Sequence, residues 1–127
     1  MIAEKFKIID DLGSGATAVV KLVEDITTGE KLACKILKNN NSFQITEKQL
    51  TDVQKEVSIS VGLKNDNIIN VKAVGRGMYD KDGDGEDLEE VLFIIMDYAQ
   101  EGELFDMISN SGKFSERVAR YYFYQIL

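Results

Sequence analysis

Leu12-Gly13-Ser14-Gly15-Ala16-Thr17-Ala18-Val19-Val20, followed by Ala33-Cys34-Lys35, is the stretch whose reading decides the fold. A glycine turn between two antiparallel strands brings backbone N–H groups close to phosphate oxygens with no Cβ in the way. A lysine on the next strand then reaches the same phosphates as a point charge. A dinucleotide-binding fingerprint requires a helix after the glycines, and here a β-branched strand follows. A Walker loop requires Gly-Lys-Ser/Thr, which is absent. Taken alone, the two glycines are equally compatible with an ordinary hairpin turn.

Working outward, Phe6 to Leu12 reads as a first strand, Ala18 to Val23 as a second, and Lys31 to Leu37 as a third. Thr27-Thr28-Gly29-Glu30 is a turn between the last two. Asn39-Asn40-Asn41-Ser42 is a loop by composition. The period then changes. Leu50, Val53, Val57 and Val61 recur at spacings of three and four, which predicts one apolar helix face. Thr46 and Gln49 form a capping box at its start, Glu47 suits the positive helix end, and Gly62 is a stop. Strands resume at Ile68 to Val74 and at Val91 to Met96, the latter an unbroken apolar run suited to burial on both faces. After Gly102 the pattern is helical again (Leu104, Phe105, Ile108). A last amphipathic helix starts near Ser115 and carries Val118, Ala119, Tyr122 and Ile126.

This order of elements resembles the protein kinase family, whose signature includes G-x-G-x-x-G-x-V and V-A-I-K. Gly13, Gly15 and Val20 match the first, and Leu32-Ala33-Cys34-Lys35 the second. Glu56 falls mid-helix, where the family places a glutamate. Leu63 to Ile69 looks like L-x-H-P-N-I-V, and Phe93 to Ala99 looks like the strand entering the interlobe hinge. Glu101-Gly102-Glu103-Leu104-Phe105-Asp106 resembles G-G-E-L-F-D of the calcium/calmodulin-dependent branch of Ser/Thr kinases. Ser115 to Arg120 resembles that branch's F-S-E-x-x-A-R. The resemblance runs through essentially the whole chain, in order.

It implies an α+β fold: a five-stranded antiparallel sheet with one major helix over residues 1–98, the ATP-binding small lobe. Residues 99–127 are then the hinge and the first helices of an incomplete large lobe. It also implies roles. Lys35 contacts the α- and β-phosphates and pairs with Glu56. Leu12, Gly13, Ser14 and Gly15 form the lid. Val20 and Ala33 cover the adenine, Met96 lies at the back of its pocket, and the Asp97 and Ala99 backbones bind its edge. Glu103 lies near the ribose and the peptide entrance. On the residues alone, Glu56 and Glu103 are equally solvated surface acids, and Val20, Ala33 and Met96 are core residues of almost any fold.

The chain departs from the family at several places. Ala18 stands for the third glycine, which stiffens the lid modestly. Ser60 replaces an apolar residue one turn past Glu56, and Asn65-Asp66 replaces His-Pro. The 127 residues contain no histidine, so H-R-D-x-x-x-x-N cannot occur in its usual form, and Asp-Phe-Gly is also absent. In an intact kinase both lie beyond the position of Leu127. The base and the magnesium ligands belong to those motifs. ATP and Mg2+ are therefore the implied cofactors, with no metal ligand expected within this chain and no phosphotransfer by these residues alone. The last helix is still running at Leu127, which suggests that the chain is the front part of a longer kinase. The alternative is a non-catalytic scaffold or regulator that binds a partner through Phe114, Val118, Tyr122 and Ile126.

Composition narrows the remaining classes. The net charge is −7 from 15 Lys+Arg against 22 Asp+Glu, which disfavours nucleic-acid binding. Much of the excess lies in one segment, Asp80, Asp82, Asp84, Glu86, Asp87, Glu89 and Glu90 against Lys81. Asp80 to Gly85 matches the opening of an EF-hand loop, but position twelve, a glutamate in that motif, is Val91. A solvated insertion between two strands is the favoured reading over a calcium site. No apolar run approaches the roughly 20 residues of a membrane span, and no signal peptide is evident. One cysteine, Cys34, rules out a disulfide within the sequence and fits a reducing, cytoplasmic setting. Protein substrates, and regulation of the calcium/calmodulin type, follow from the resemblance only.

Overall fold

In β1 (Phe6–Ser14), β2 (Ala18–Asp25) and β3 (Lys31–Leu37), short turns join runs of β-branched and apolar residues into an antiparallel meander. Gly29, at φ 73°, closes the β2–β3 turn, with its N–H donating to the Asp25 carbonyl at 2.7 Å. β3 pairs with β5 (Leu88–Asp97), and β4 (Val71–Asp80) forms the far edge, giving the order β1-β2-β3-β5-β4, all antiparallel. The computed structural model describes residues 2–38, 45–81, 85–86 and 88–127. The loop expected at Asn39 to Ser42, and Asp82, Gly83, Asp84 and Asp87 of the acidic segment, lie outside them.

The pleat sorts side chains into two faces. One face buries Val23, Leu32, Cys34, Ile36, Tyr79, Val91, Phe93 and Ile95. It is closed over by the N-terminal turn, where fully buried Ile2 bridges to Phe6, the first residue of β1, and to Tyr79 on β4. A single residue thus links the two edges of the sheet, which blunts both. Ala3 and Glu4 turn the chain with φ of 52° and 55°, an uncommon conformation for residues with a Cβ. Gly77 gives them room: a Cβ there would stand 3.1 Å from the Ala3 nitrogen and 3.1 Å from the Phe93 ring.

The other face receives α1 (Glu47–Gly62), whose Val53 packs with Leu92 and Ile94, flanked by Leu37, Leu50, Val57, Val71 and Met96. The capping box at Thr46 forms as expected. The Gln49 N–H donates to Thr46 Oγ1 at 3.3 Å, and the Thr46 N–H donates to Gln49 Oε1 at 2.8 Å. Such a cap contributes about 1 kcal/mol.

The expected sheet and its major helix are therefore present, with three corrections. Val61 does not continue the buried stripe and is 56% exposed: it borders an open pocket of ≈ 500 Å3 with Val71 and Lys72 rather than packing against them. Ile68 to Asn70 are not strand. Asn65 forms a turn there, its Oδ1 accepting from the Asn67 N–H at 2.8 Å and its carbonyl from the Ile68 N–H at 3.1 Å, so β4 starts at Val71. β4 also runs on past Val74 to Asp80, through two glycines covered by Phe93. Beyond β5 come α2 (Leu104–Ser111) and α3 (Glu116–Ile126); Tyr122 of α3 reaches Met107 of α2 at 3.9 Å and stacks on Phe114 of the segment between them, ring centroids 5.4 Å apart.

Candidate functional site

The face that receives α1 carries the candidate site. Residues directly opposite in an antiparallel pair share a face. Val20 lies opposite Lys35 across β2–β3, and Ala33 lies opposite Met96 across β3–β5. Val20, Ala33, Lys35 and Met96 therefore share one side of the sheet. Ala33 is buried and the other three half-buried, leaving an apolar floor with one ammonium group on it.

Lys35 Nζ donates to Glu56 Oε1 at 2.8 Å. The carboxylate comes from the middle of α1, so the pair exists only when the helix is docked on the sheet. The two side chains are 29% and 45% exposed, and a pair so open to water contributes at most about 1 kcal/mol to stability. Its consequence is positional: the ammonium is held over the floor rather than free to sweep through solvent.

Above this floor the lid is narrow. β1 ends at Ser14 and β2 begins at Ala18, and the Gly15 N–H donates to the Ala18 carbonyl at 2.9 Å. At Gly13 a Cβ would meet nothing within 4 Å, and at Gly15 only the Ala18 carbonyl oxygen at 3.9 Å. The underside is open, a cradle that a phosphate can enter. Leu12 is exposed, at a register shift of β1. Ser14 lies opposite Val19, out of phase with Val20 and Lys35. Its hydroxyl accepts from Lys38 Nζ at 3.3 Å.

At the other end of the sheet, the Asp97 N–H donates to the Asn70 carbonyl at 3.0 Å, and its carboxylate pairs with Lys72 at 3.4 Å. Asp97 and Ala99 border a cavity of ≈ 940 Å3 that also meets Asn67, Ile69 and Tyr122. Glu103 is the exposed N-cap residue of α2, with no side-chain hydrogen bond at that cap. Of the expected set, the sheet register and the Lys35–Glu56 pair bring together Val20, Ala33, Lys35, Glu56 and Met96, with Gly13 of the lid opposite Val20. Two lysines escaped the sequence reading. Lys72 and Lys38 each follow or interrupt a strand as an exposed cation, which in sequence is indistinguishable from a solvating residue.

Among the described residues, no three His, Cys, Asp or Glu side chains come together as a metal cage. The cradle and its lysine fit a nucleotide's phosphates; a metal cage is not part of what these residues supply.

A curled antiparallel sheet with a glycine lid, and a strand lysine held by a helix glutamate, is the architecture of a protein kinase small lobe. Residues 6–127 match the protein kinase domain family, to which the chain belongs. Among curated proteins it is 33% identical over 124 residues to the serine/threonine-protein kinase SAPK2 of Oryza sativa subsp. indica. It is 38% identical over 124 residues to the serine/threonine-protein kinase SRK2F of Arabidopsis thaliana. It is 30% identical over 123 residues to the CBL-interacting protein kinase 9 of Oryza sativa subsp. japonica. These alignments cover 98%, 98% and 97% of this chain but 32%, 31% and 24% of the relatives. The chain thus spans a third or less of their length.

Proposed function

We propose that this chain is the ATP-binding part of a serine/threonine protein kinase, which transfers the γ-phosphate of ATP to protein hydroxyls. The observation that carries the reading is the Lys35–Glu56 bond at 2.8 Å beneath an unobstructed glycine lid. A held ammonium beside open backbone donors suits the α- and β-phosphates, whose charge is otherwise costly to take from water. Val20, Ala33 and Met96 offer an apolar slot for the adenine, with the Asp97 and Ala99 backbone at its edge and Glu103 toward the ribose. Residues 1–98 form the nucleotide-binding unit and residues 99–127 the hinge and first helices of the second lobe. Serine/threonine specificity is supported by the names of the relatives.

By itself the chain does not transfer phosphate, because it contains neither the histidine–arginine–aspartate motif nor Asp-Phe-Gly. Mg2+ accompanies the nucleotide and takes its protein ligands from those motifs in an intact kinase. Two relatives are named CBL-interacting kinases, so a regulatory protein partner belongs to the proposal; a calcium/calmodulin-type mode rests on the α2 and α3 motifs alone. A cytoplasmic setting is part of the same reading, supported by a lone buried thiol.

The test is titration of the purified chain with Mg-ATP beside its Lys35→Ala variant. Loss of a charge-assisted contact of about 1.5–3 kcal/mol weakens binding by roughly ten- to a hundredfold. Equal affinities of the two proteins, or lysine-dependent phosphate transfer by the chain alone, would contradict the proposal.

A further inference from the structure

Lys38 is bound to the lid at two points. Its backbone N–H donates to the Thr17 carbonyl at 2.9 Å. Its ammonium donates to the Gly15 carbonyl at 2.6 Å and reaches Ser14 Oγ at 3.3 Å. The first is a hydrogen bond any residue with an N–H could make. The second requires this side chain, and a bond of that length to an ammonium is the strong, charge-assisted kind.

The direction of the grip matters. Lys35 and Leu37 lie on the α1 face, opposite Val20 and Ala18. Lys38 follows Leu37 and lies on the other face. There it borders a cavity of ≈ 530 Å3 with Ser14, Val19, Lys21, Ile36 and Tyr79. The lid's tip carbonyl is thus held from outside. In a trans peptide the carbonyl and the following N–H point to opposite sides, and there is no cis bond among the described residues. Holding the Gly15 carbonyl outward turns the Ala16 N–H inward, toward the side that carries Lys35.

We infer that Lys38 is a positioning residue: from the outer face it fixes the Gly15–Ala16 peptide so that its N–H is presented to the phosphates of a bound nucleotide. This rests on the nucleotide reading above and deepens it. A lid with two glycines in place of three still samples many peptide orientations, because a glycine next to a short turn rotates freely. A side chain that selects one of them lowers the ordering cost of binding. Lys38 itself touches no phosphate in this account, and the selectivity it confers is for phosphorylated nucleotides over the bare nucleoside.

The test compares the chain with its Lys38→Met and Lys38→Arg variants. Amide hydrogen exchange at Ala16 to Ala18 is measured without ligand, and affinity is measured for Mg-ATP and for adenosine. Lys38→Met should speed lid exchange and weaken Mg-ATP by about three- to tenfold, the worth of one such bond near water. Adenosine affinity should not change, and Lys38→Arg should restore both readouts. Unchanged exchange in Lys38→Met overturns the tether. A loss of Mg-ATP without faster exchange overturns positioning in favour of direct phosphate contact, and an equal loss for adenosine overturns it in favour of a general structural role. Failure of the unaltered chain to bind either ligand overturns the nucleotide reading, and with it the role assigned to Lys38, while the exchange data still report separately whether the tether exists.

Discussion

At the scale of single residues, charges in this chain organise geometry more than they add stability. Lys35 and Glu56 are too exposed to hold the helix on the sheet by themselves, yet they fix where an ammonium stands. Asp25 is the contrasting case. It is the buried charged side chain among the described residues, at the end of β2, and its Oδ1 accepts from the Thr27 N–H at 2.9 Å. That backbone donor, and then the Lys5 ammonium 3.6 Å away, hold its carboxyl below the ordinary range despite the opposing effect of burial. A carboxylate with a depressed native pKa stabilises the fold above its unfolded value of about 3.9. That contribution disappears as pH falls through the lower native value. Asp25→Asn should therefore lower stability at pH 7, and the gap from the unaltered chain should close as the pH drops below 4. Denaturant titrations of both proteins across that range measure it. A gap independent of pH would mean that the loss comes from repacking the turn rather than from the charge.

At the scale of elements, much was legible from local pattern, and the failures have physical causes. The capping box of α1 is read from two residues three apart, and its bonds form as expected. Lys35 and Glu56 are paired by family pattern, which no periodicity would have suggested for residues 21 apart. β4 was misplaced at both ends, because an Asn65 turn occupies what looked like strand and two glycines broke the apparent alternation. Those glycines are explained only by their neighbours: the Phe93 ring lies across Gly75 and Gly77, and the Ala3 backbone comes up to Gly77. The closure of the sheet by Ile2 was likewise invisible, since it depends on a contact between the two ends of the sheet order. Gly77→Ala tests it. Replacing a strand glycine by alanine gains roughly 0.5–1 kcal/mol of chain entropy. Here the new methyl would crowd backbone atoms tied down by the Ile2–Phe6 hydrogen bonds. Overpacking costs about 1–3 kcal/mol and should win, lowering the urea midpoint. Gly13→Ala, with open space at its Cβ, should keep that entropy gain and raise the midpoint slightly. A Gly77→Ala protein as stable as its parent would mean that the N-terminal turn does not sit on β4.

At the scale of the whole molecule, the sheet with α1 and the α2–α3 pair have opposite surface economies. The sheet buries two apolar clusters. α2 and α3 bury none of their residues, and Phe105 and Tyr124 are 72% and 79% exposed. They touch each other through a Tyr122–Met107 contact, and Tyr122 stacks on Phe114 of the segment between them. Of the four residues expected to form a partner patch, Phe114 and Tyr122 are thereby half-covered, while Val118 and Ile126 remain open. Apolar burial is the dominant source of folding stability, so residues 99–127 should contribute little to the stability of residues 1–98. The shortened chain 1–98 is then expected to unfold within about 0.5 kcal/mol of the full 127 residues, the range of surface changes that disturb no core. The denaturant slope should also be similar, because it follows the area exposed on unfolding. Its solubility should rise, since the largest exposed aromatic side chains leave with α2 and α3. Urea titrations of both chains, followed through near-ultraviolet circular dichroism of the sheet's aromatic residues, decide the matter. A loss of several kcal/mol on shortening would place part of the folding nucleus in the hinge and the helices after it. The boundary between the two units would then lie beyond Tyr98.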